Sequence, residues 1–110
     1  MPIARPNVSP FDSRIAVAYL PLNCATSHAF ACYGEDVDEP FIIVDEAVFD
    51  QPWFTEAHLM ILLAHETGHI HNNSEDERQA DTTGLDLVIR ADMLDVLELY
   101  LEEFEARYSN

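Results

Sequence analysis

Leu59-Met60-Ile61-Leu62-Leu63-Ala64-His65-Glu66-Thr67-Gly68-His69 decides how this chain is read. Thr55 stands where an N-cap belongs, and Glu56 follows where the helix dipole favours an acid. One helix is predicted from Glu56 to about Asn72, stopped by the turn-forming Asn72-Asn73-Ser74. Residues four apart on a helix share a face, so the imidazoles of His65 and His69 converge on one cation, as zinc requires. Glu66 is rotated about 100° from His65, beside the metal position, where it can take a proton from water. The alternative is a pair of surface histidines on an amphipathic helix. The apolar run Leu59 to Ala64 should be buried, which weighs against it. So does Gly68, whose cost of about 1 kcal/mol in a helix interior implies close backbone packing.

A second segment follows: Glu77-Arg78-Gln79-Ala80-Asp81-Thr82-Thr83-Gly84-Leu85. Glu77 and Asp81 are again four apart, so one carboxylate can bind the metal while the other orients a ligand histidine from behind. Three assignments of the third ligand stay open: Glu77, Asp81, and Glu75, which stands six residues after His69 at the metzincin spacing. Only seven residues separate Glu77 from His69, so a tight αα hairpin must turn it back if it is the ligand. His71 points off the ligand face, and His58, two turns before His65, reads as a structural histidine.

Together the segments resemble the gluzincin metallopeptidases. Ala64 to Ile70 is similar to their active-site helix. Glu77 to Leu85 is similar to the glutamate helix of HtpX-type and prenyl-protein-processing peptidases and to the ImmA/IrrE type. The short length resembles the minigluzincins. The resemblance covers roughly residues 41 to 90. It implies His65, His69 and Glu77 as ligands of one Zn2+ per chain, Glu66 as general base, and Asp81 as partner of a ligand histidine. It also implies that Phe41 to Ala47 is the strand that binds extended substrate.

Outward from the motifs, residues 1 to 12 carry Pro2, Pro6 and Pro10 and read as an irregular arm. Ile15 to Leu20 is open between strand and short helix. Thr26 to Tyr33 reads as a strand that pairs with the β-branched Phe41-Ile42-Ile43-Val44 across a long loop. A second helix is predicted from near Glu75-Asp76 to about Arg90. A third is predicted to about Arg107, boxed by Asp92 and Asp95 and buried along Leu94, Leu97, Tyr100, Leu101 and Phe104. Strands before helices predict an α+β chain. With the resemblance this becomes a single minimal zincin-like domain over 1–110: a small N-terminal β-sheet, an active-site helix, a glutamate helix and a C-terminal helix.

The chain has 110 residues and a net charge of −16, with 21 acids against five arginines and no lysine. That balance repels phosphate backbones and anionic membranes, so neither nucleic acid nor membrane is an expected partner. Cys24 and Cys32 read as two buried thiols rather than a disulfide. With no signal-like N-terminus and no apolar run of membrane length, the expectation is a soluble cytoplasmic protein. Oligomeric state is not readable.

Two functions are consistent with these features. The first is a zinc-dependent peptidase acting on a peptide or protein substrate, with Glu66 as general base. The second is a non-catalytic, acidic zinc-binding protein that binds a protein partner as a regulator or nucleic-acid mimic; the acidic third helix favours it and the intact Glu66 opposes it. A peptidase also needs an oxyanion donor beyond the metal, for which Tyr33, Tyr100, Tyr108, His28 and Arg90 are available. Either terminal segment, 1 to 12 or the tail after Glu103, could cover so small a cleft.

Overall fold

The computed structural model describes residues 2–109. It is α+β, as the element order predicts: four strands, β1 (Val8–Ser9), β2 (Asp12–Leu20), β3 (Ala29–Cys32) and β4 (Phe41–Asp45), precede three helices, α1 (Glu56–Asn72), α2 (Glu77–Arg90) and α3 (Leu94–Tyr108). The sheet order is β1-β2-β4-β3. β2 runs parallel to β4, while β1 with β2 and β3 with β4 are antiparallel.

The arm is shorter than expected, because Val8 and Ser9 join the sheet. Asn7 accepts a 2.8 Å hydrogen bond from the Val17 amide, and the buried Ser9 hydroxyl lies 2.8 Å from that of Thr67 on α1. The arm is thus pinned to the back of the motif helix instead of covering it. In β2, Ile15 and Val17 face inward while Ala16, Ala18 and Leu20 are exposed, the alternation of a sheet with one wet face. The substrate-strand expectation is corrected by the strand order: β4 is paired on both sides, and β3 is the edge strand next to α1.

Helix α1 is apolar on two faces because it is buried on two faces. Leu59 and Leu63 pack with Ile15, Val17, Ile42 and Val44 of the sheet. Ile61 and Ala64 pack with Val88 of α2 and Val96 and Tyr100 of α3. Thr55 caps α1 as predicted, in a reciprocal box with His58, which is therefore structural. Asp45 is a feature the sequence did not announce. Its buried carboxylate accepts from the amides of Leu22, Asn23, Cys24 and Ala47, fixing the loop that leads into β3.

Helix α3 departs from expectation at its start. Asp92 takes the left-handed conformation at φ 57°, Met93 is the N-cap, and no side chain caps the helix. Its buried face carries Val96 and Tyr100, whereas Leu94 and Leu101 are exposed. Cys24 and Cys32 are free thiols, half-buried. No helix among the described residues is long and apolar enough to cross a membrane.

The close packing expected at Gly68 is present. A Cβ there would be driven into the Ala80 carbonyl oxygen on α2. Gly68→Ala should therefore destabilise the metal-free protein by about 1–3 kcal/mol, despite the better helix propensity of alanine. Urea unfolding measures it, and a neutral or stabilising effect would mean that α2 does not press on α1 at this point.

Candidate metal centre

The turn expected at Asn72-Asn73-Ser74 is what closes the site. Asn73 adopts the left-handed conformation at φ 46°, and the amides of Asn73 and Ser74 return to the carbonyls of Ile70 and His69. The Asn72 side chain bonds the Thr83 hydroxyl at 2.8 Å, tying the end of α1 to α2. Asp76 caps α2, at the predicted start. Glu77 then opens the helix directly over the two histidines.

The ligand atoms of His65, His69 and Glu77 all lie within 4.8 Å of one another. The two Nε2 atoms are 3.1 Å apart; Glu77 Oε1 is 2.8 Å from His69 Nε2, and its Oε2 is 3.3 Å from His65 Nε2. Ligands about 2.0–2.1 Å from a tetrahedral zinc would be separated by about 3.3 Å, close to these separations, with Glu77 reaching the two rings through different oxygens.

The hydrogen bonds behind the rings decide their chemistry. His69 Nδ1 is 2.8 Å from the Ser74 carbonyl, which can only accept, so Nδ1 carries the proton. His65 Nδ1 is 2.6 Å from Asp81 Oδ1. When neutral, both rings therefore present bare Nε2 lone pairs to each other and to the Glu77 carboxylate. Three acceptors facing one point without a donor repel unless a ring proton or a metal ion sits among them. The donor set thus fits a divalent cation on chemical as well as metric grounds.

Asp81 cannot be one of the ligands. It is fully buried, and both its oxygens are taken. Oδ1 accepts from His65 and from the Tyr100 hydroxyl at 2.9 Å; Oδ2 accepts from Arg107 at 2.6 Å and the Tyr108 hydroxyl at 2.8 Å. Burial opposes its charge, but the bonds from His65, Tyr108 and Tyr100 outweigh it and hold the carboxyl below its ordinary range. Glu75 is exposed in the turn, borders the site, and does not join the converging atoms. His71 is turned away and pairs with Asp12 at 2.8 Å.

Glu66 is 7% exposed, beside the cluster but not part of it. Burial raises its pKa to about 7; His65 and His69 pull it down, Glu77 pushes it up, and a backbone hydrogen bond from Ala31 of β3 favours the ionised form. His65 also holds its proton more tightly than usual, since Asp81, Glu66 and Glu77 together outweigh its burial.

Two cavities meet at Glu66 and Glu77. One, of about 300 Å³, lies on the His65 side; the other, of about 330 Å³, lies on the His69 side and is bordered by Tyr33 and Glu75. Of the oxyanion candidates, Tyr100 and Tyr108 are spent on Asp81, and Arg90 pairs with Asp86 on the surface. His28 and Tyr33 remain at the cavities. Among the described residues, the Tyr33 hydroxyl is the buried side-chain polar atom left without a partner. Sequence reasoning missed the Ser74 carbonyl, which has no side-chain signature, and the use of Arg107, visible only as a lone cation in an acidic tail.

No family model matches the chain, and no curated protein or solved structure matches it. The gluzincin resemblance therefore rests on the motif residues themselves.

Removing the tail after Glu103 deletes Arg107 and Tyr108, half the partners of Asp81. It should weaken zinc affinity on the order of 10–100-fold, as loss of a histidine's support does, and should not unmask activity. Competition with a chromophoric chelator measures it, and unchanged affinity would contradict the role given to Asp81.

The metal-free chain should also show the cost of charging Glu66. The folded state keeps this proton up to about pH 7 while the unfolded chain loses it in the ordinary carboxyl range, so stability falls as pH rises between the two. Glu66→Gln should be on the order of 2–3 kcal/mol more stable than wild type near pH 8 and about equal to it near pH 4. A stability gap that does not widen with pH would contradict the burial argument.

Proposed function

We propose that this chain is a zinc-dependent metallopeptidase whose metal is held by His65, His69 and Glu77. The observation that carries the proposal is the buried, non-ligating Glu66 beside a three-atom acceptor cluster, with no fourth protein ligand in that cluster among the described residues. Structural zinc sites close with four protein ligands, and catalytic ones keep a position open. Bound there, zinc supplies a Lewis acid that polarises a peptide carbonyl and lowers the pKa of water.

The rest of the chemistry belongs to the chain. Glu66 accepts the proton of the attacking water and passes it to the departing amine. Asp81, clamped by α3, keeps His65 in the tautomer that leaves Nε2 free. The unpaired side of β3 borders both cavities, so an extended substrate would add to that edge rather than to the buried β4. The rival reading, an acidic zinc-binding partner protein, leaves buried Glu66 without a task.

Zinc-loaded protein should contain about one metal per chain, lost in His65→Ala and His69→Ala. Glu77→Ala should weaken binding far more than Glu75→Ala. Glu66→Gln should keep the zinc and lower hydrolysis of a broad peptide library by two orders of magnitude or more, on the order of the contribution of general acid–base catalysis. Hydrolysis unaffected by Glu66→Gln at equal zinc occupancy would sink the mechanism.

A further inference from the structure

The cavity on the His65 side is not a uniform cleft. Its far wall is Trp53, the chain's single tryptophan, 49% exposed. The indole is held edge-on by Phe54 (5.7 Å between centroids, 75°) and His58 (5.4 Å, 74°), and at a tilt by His28 (5.9 Å, 60°). The residue borders the cavity, and Ile61 and Leu62 line its helix side.

Helix geometry places this apolar surface relative to the metal atoms. His58, Leu62, His65 and His69 follow one another at intervals of four, three and four along one face of α1. Leu62 is about 4.5 Å and His58 about 10.5 Å along the axis from His65. An extended peptide advances about 3.3 Å per residue, so the side chain next to a bond poised at the metal reaches Leu62, and it enters the one cavity that His65, Leu62 and Trp53 line together.

Most of the charged groups in the same wall are already engaged. Arg107 and Asp81 are spent on each other, and Glu77 belongs to the acceptor cluster. Glu103 is the carboxylate left at the rim.

We infer that this cavity is a specificity pocket for one large apolar side chain, aromatic or branched aliphatic, adjacent to the scissile bond, with Trp53 as its main determinant. The inference rests on the peptidase reading and names the substrate class of that same site. Burial of the half-exposed indole against such a side chain supplies selectivity that the small domain has little other material to provide.

The test uses the full zinc-loaded chain and peptide hydroxamates, which chelate the metal and differ only in the side chain next to the chelating group. Benzyl and isobutyl compounds should bind on the order of 100-fold tighter than the methyl compound, with the aminobutyl compound no tighter than methyl. The benzyl compound should shift Trp53 emission, which reports on one residue because no other tryptophan is present. Trp53→Ala should reduce the benzyl-to-methyl ratio about tenfold while leaving methyl affinity and zinc content unchanged. Trp53→Phe, which keeps a ring and guards against a folding defect, should restore most of the ratio.

Equal binding of benzyl and methyl compounds, tightest binding of aminobutyl, or an unchanged ratio in Trp53→Ala overturns the pocket. Zinc uptake with the full ratio but no peptide cleavage supports the pocket and counts against the peptidase. Cleavage without any ratio overturns the pocket alone, and failure to take up zinc removes both.

Discussion

Gly68 has no side chain, and the space its Cβ would need is filled by the carbonyl of Ala80. The distance between α1 and α2 follows from that contact. Two helices at this separation, joined by a turn that Asn73 makes possible in the left-handed conformation, leave Glu77 nowhere to stand except above His65 and His69. Gly84 repeats the arrangement one face away, where a Cβ would meet the Tyr100 hydroxyl and the Ala64 carbonyl. The small residues of the second motif are thus the means by which its carboxylates reach α1. Glu77 goes to the open side of His65, and Asp81 goes behind it.

The consequence is an electrostatic frame prepared for positive charge. Two imidazoles are held by backbone and carboxylate acceptors in the tautomer that exposes Nε2, and a third acceptor completes the ring. In a chain of net charge −16, Arg107 is spent at this point on the fully buried Asp81, whose charge the bonds from His65, Tyr108 and Tyr100 sustain. A buried carboxylate with four hydrogen bonds is stable; with one removed, the unpaired remainder becomes costly. The last turn of α3 is therefore joined energetically to the position of His65.

What the sequence disclosed follows from which interactions are local. Helix α1 was legible to the residue because its cap, its apolar run and its stop are all within it, and the i, i+4 spacing of His65 and His69 is a helix property. The preference for Glu77 over Asp81 was legible from the motif, and the buried four-fold hydrogen bonding of Asp81 gives its physical reason. Strand order was not legible: β4 looks the same by pattern whether central or at an edge, so the edge was assigned to Phe41–Ala47 when it belongs to β3. The α3 stripe holds at Leu97 and Tyr100 and fails at Leu94 and Leu101 by the same limitation, since these match the period as well as Val96 does. Partners far away in sequence were invisible. Asp45 capturing the amides of Leu22 to Cys24, and Tyr100, Arg107 and Tyr108 meeting on Asp81, depend on the fold being complete.

A zinc peptidase on this fold requires the acceptor atoms at the start of α2 and on the middle of α1 to form one cation site with a free position. X-ray absorption at the zinc edge on the zinc-loaded chain tests this directly. The predicted spectrum has two imidazole nitrogens at about 2.0–2.1 Å and a small number of oxygens at about 2.0–2.2 Å, with no sulfur. In Glu77→Ala the two imidazoles should persist while the oxygen shell changes. A sulfur shell from Cys24 or Cys32, a single imidazole, or a spectrum identical in Glu77→Ala would contradict the assignment.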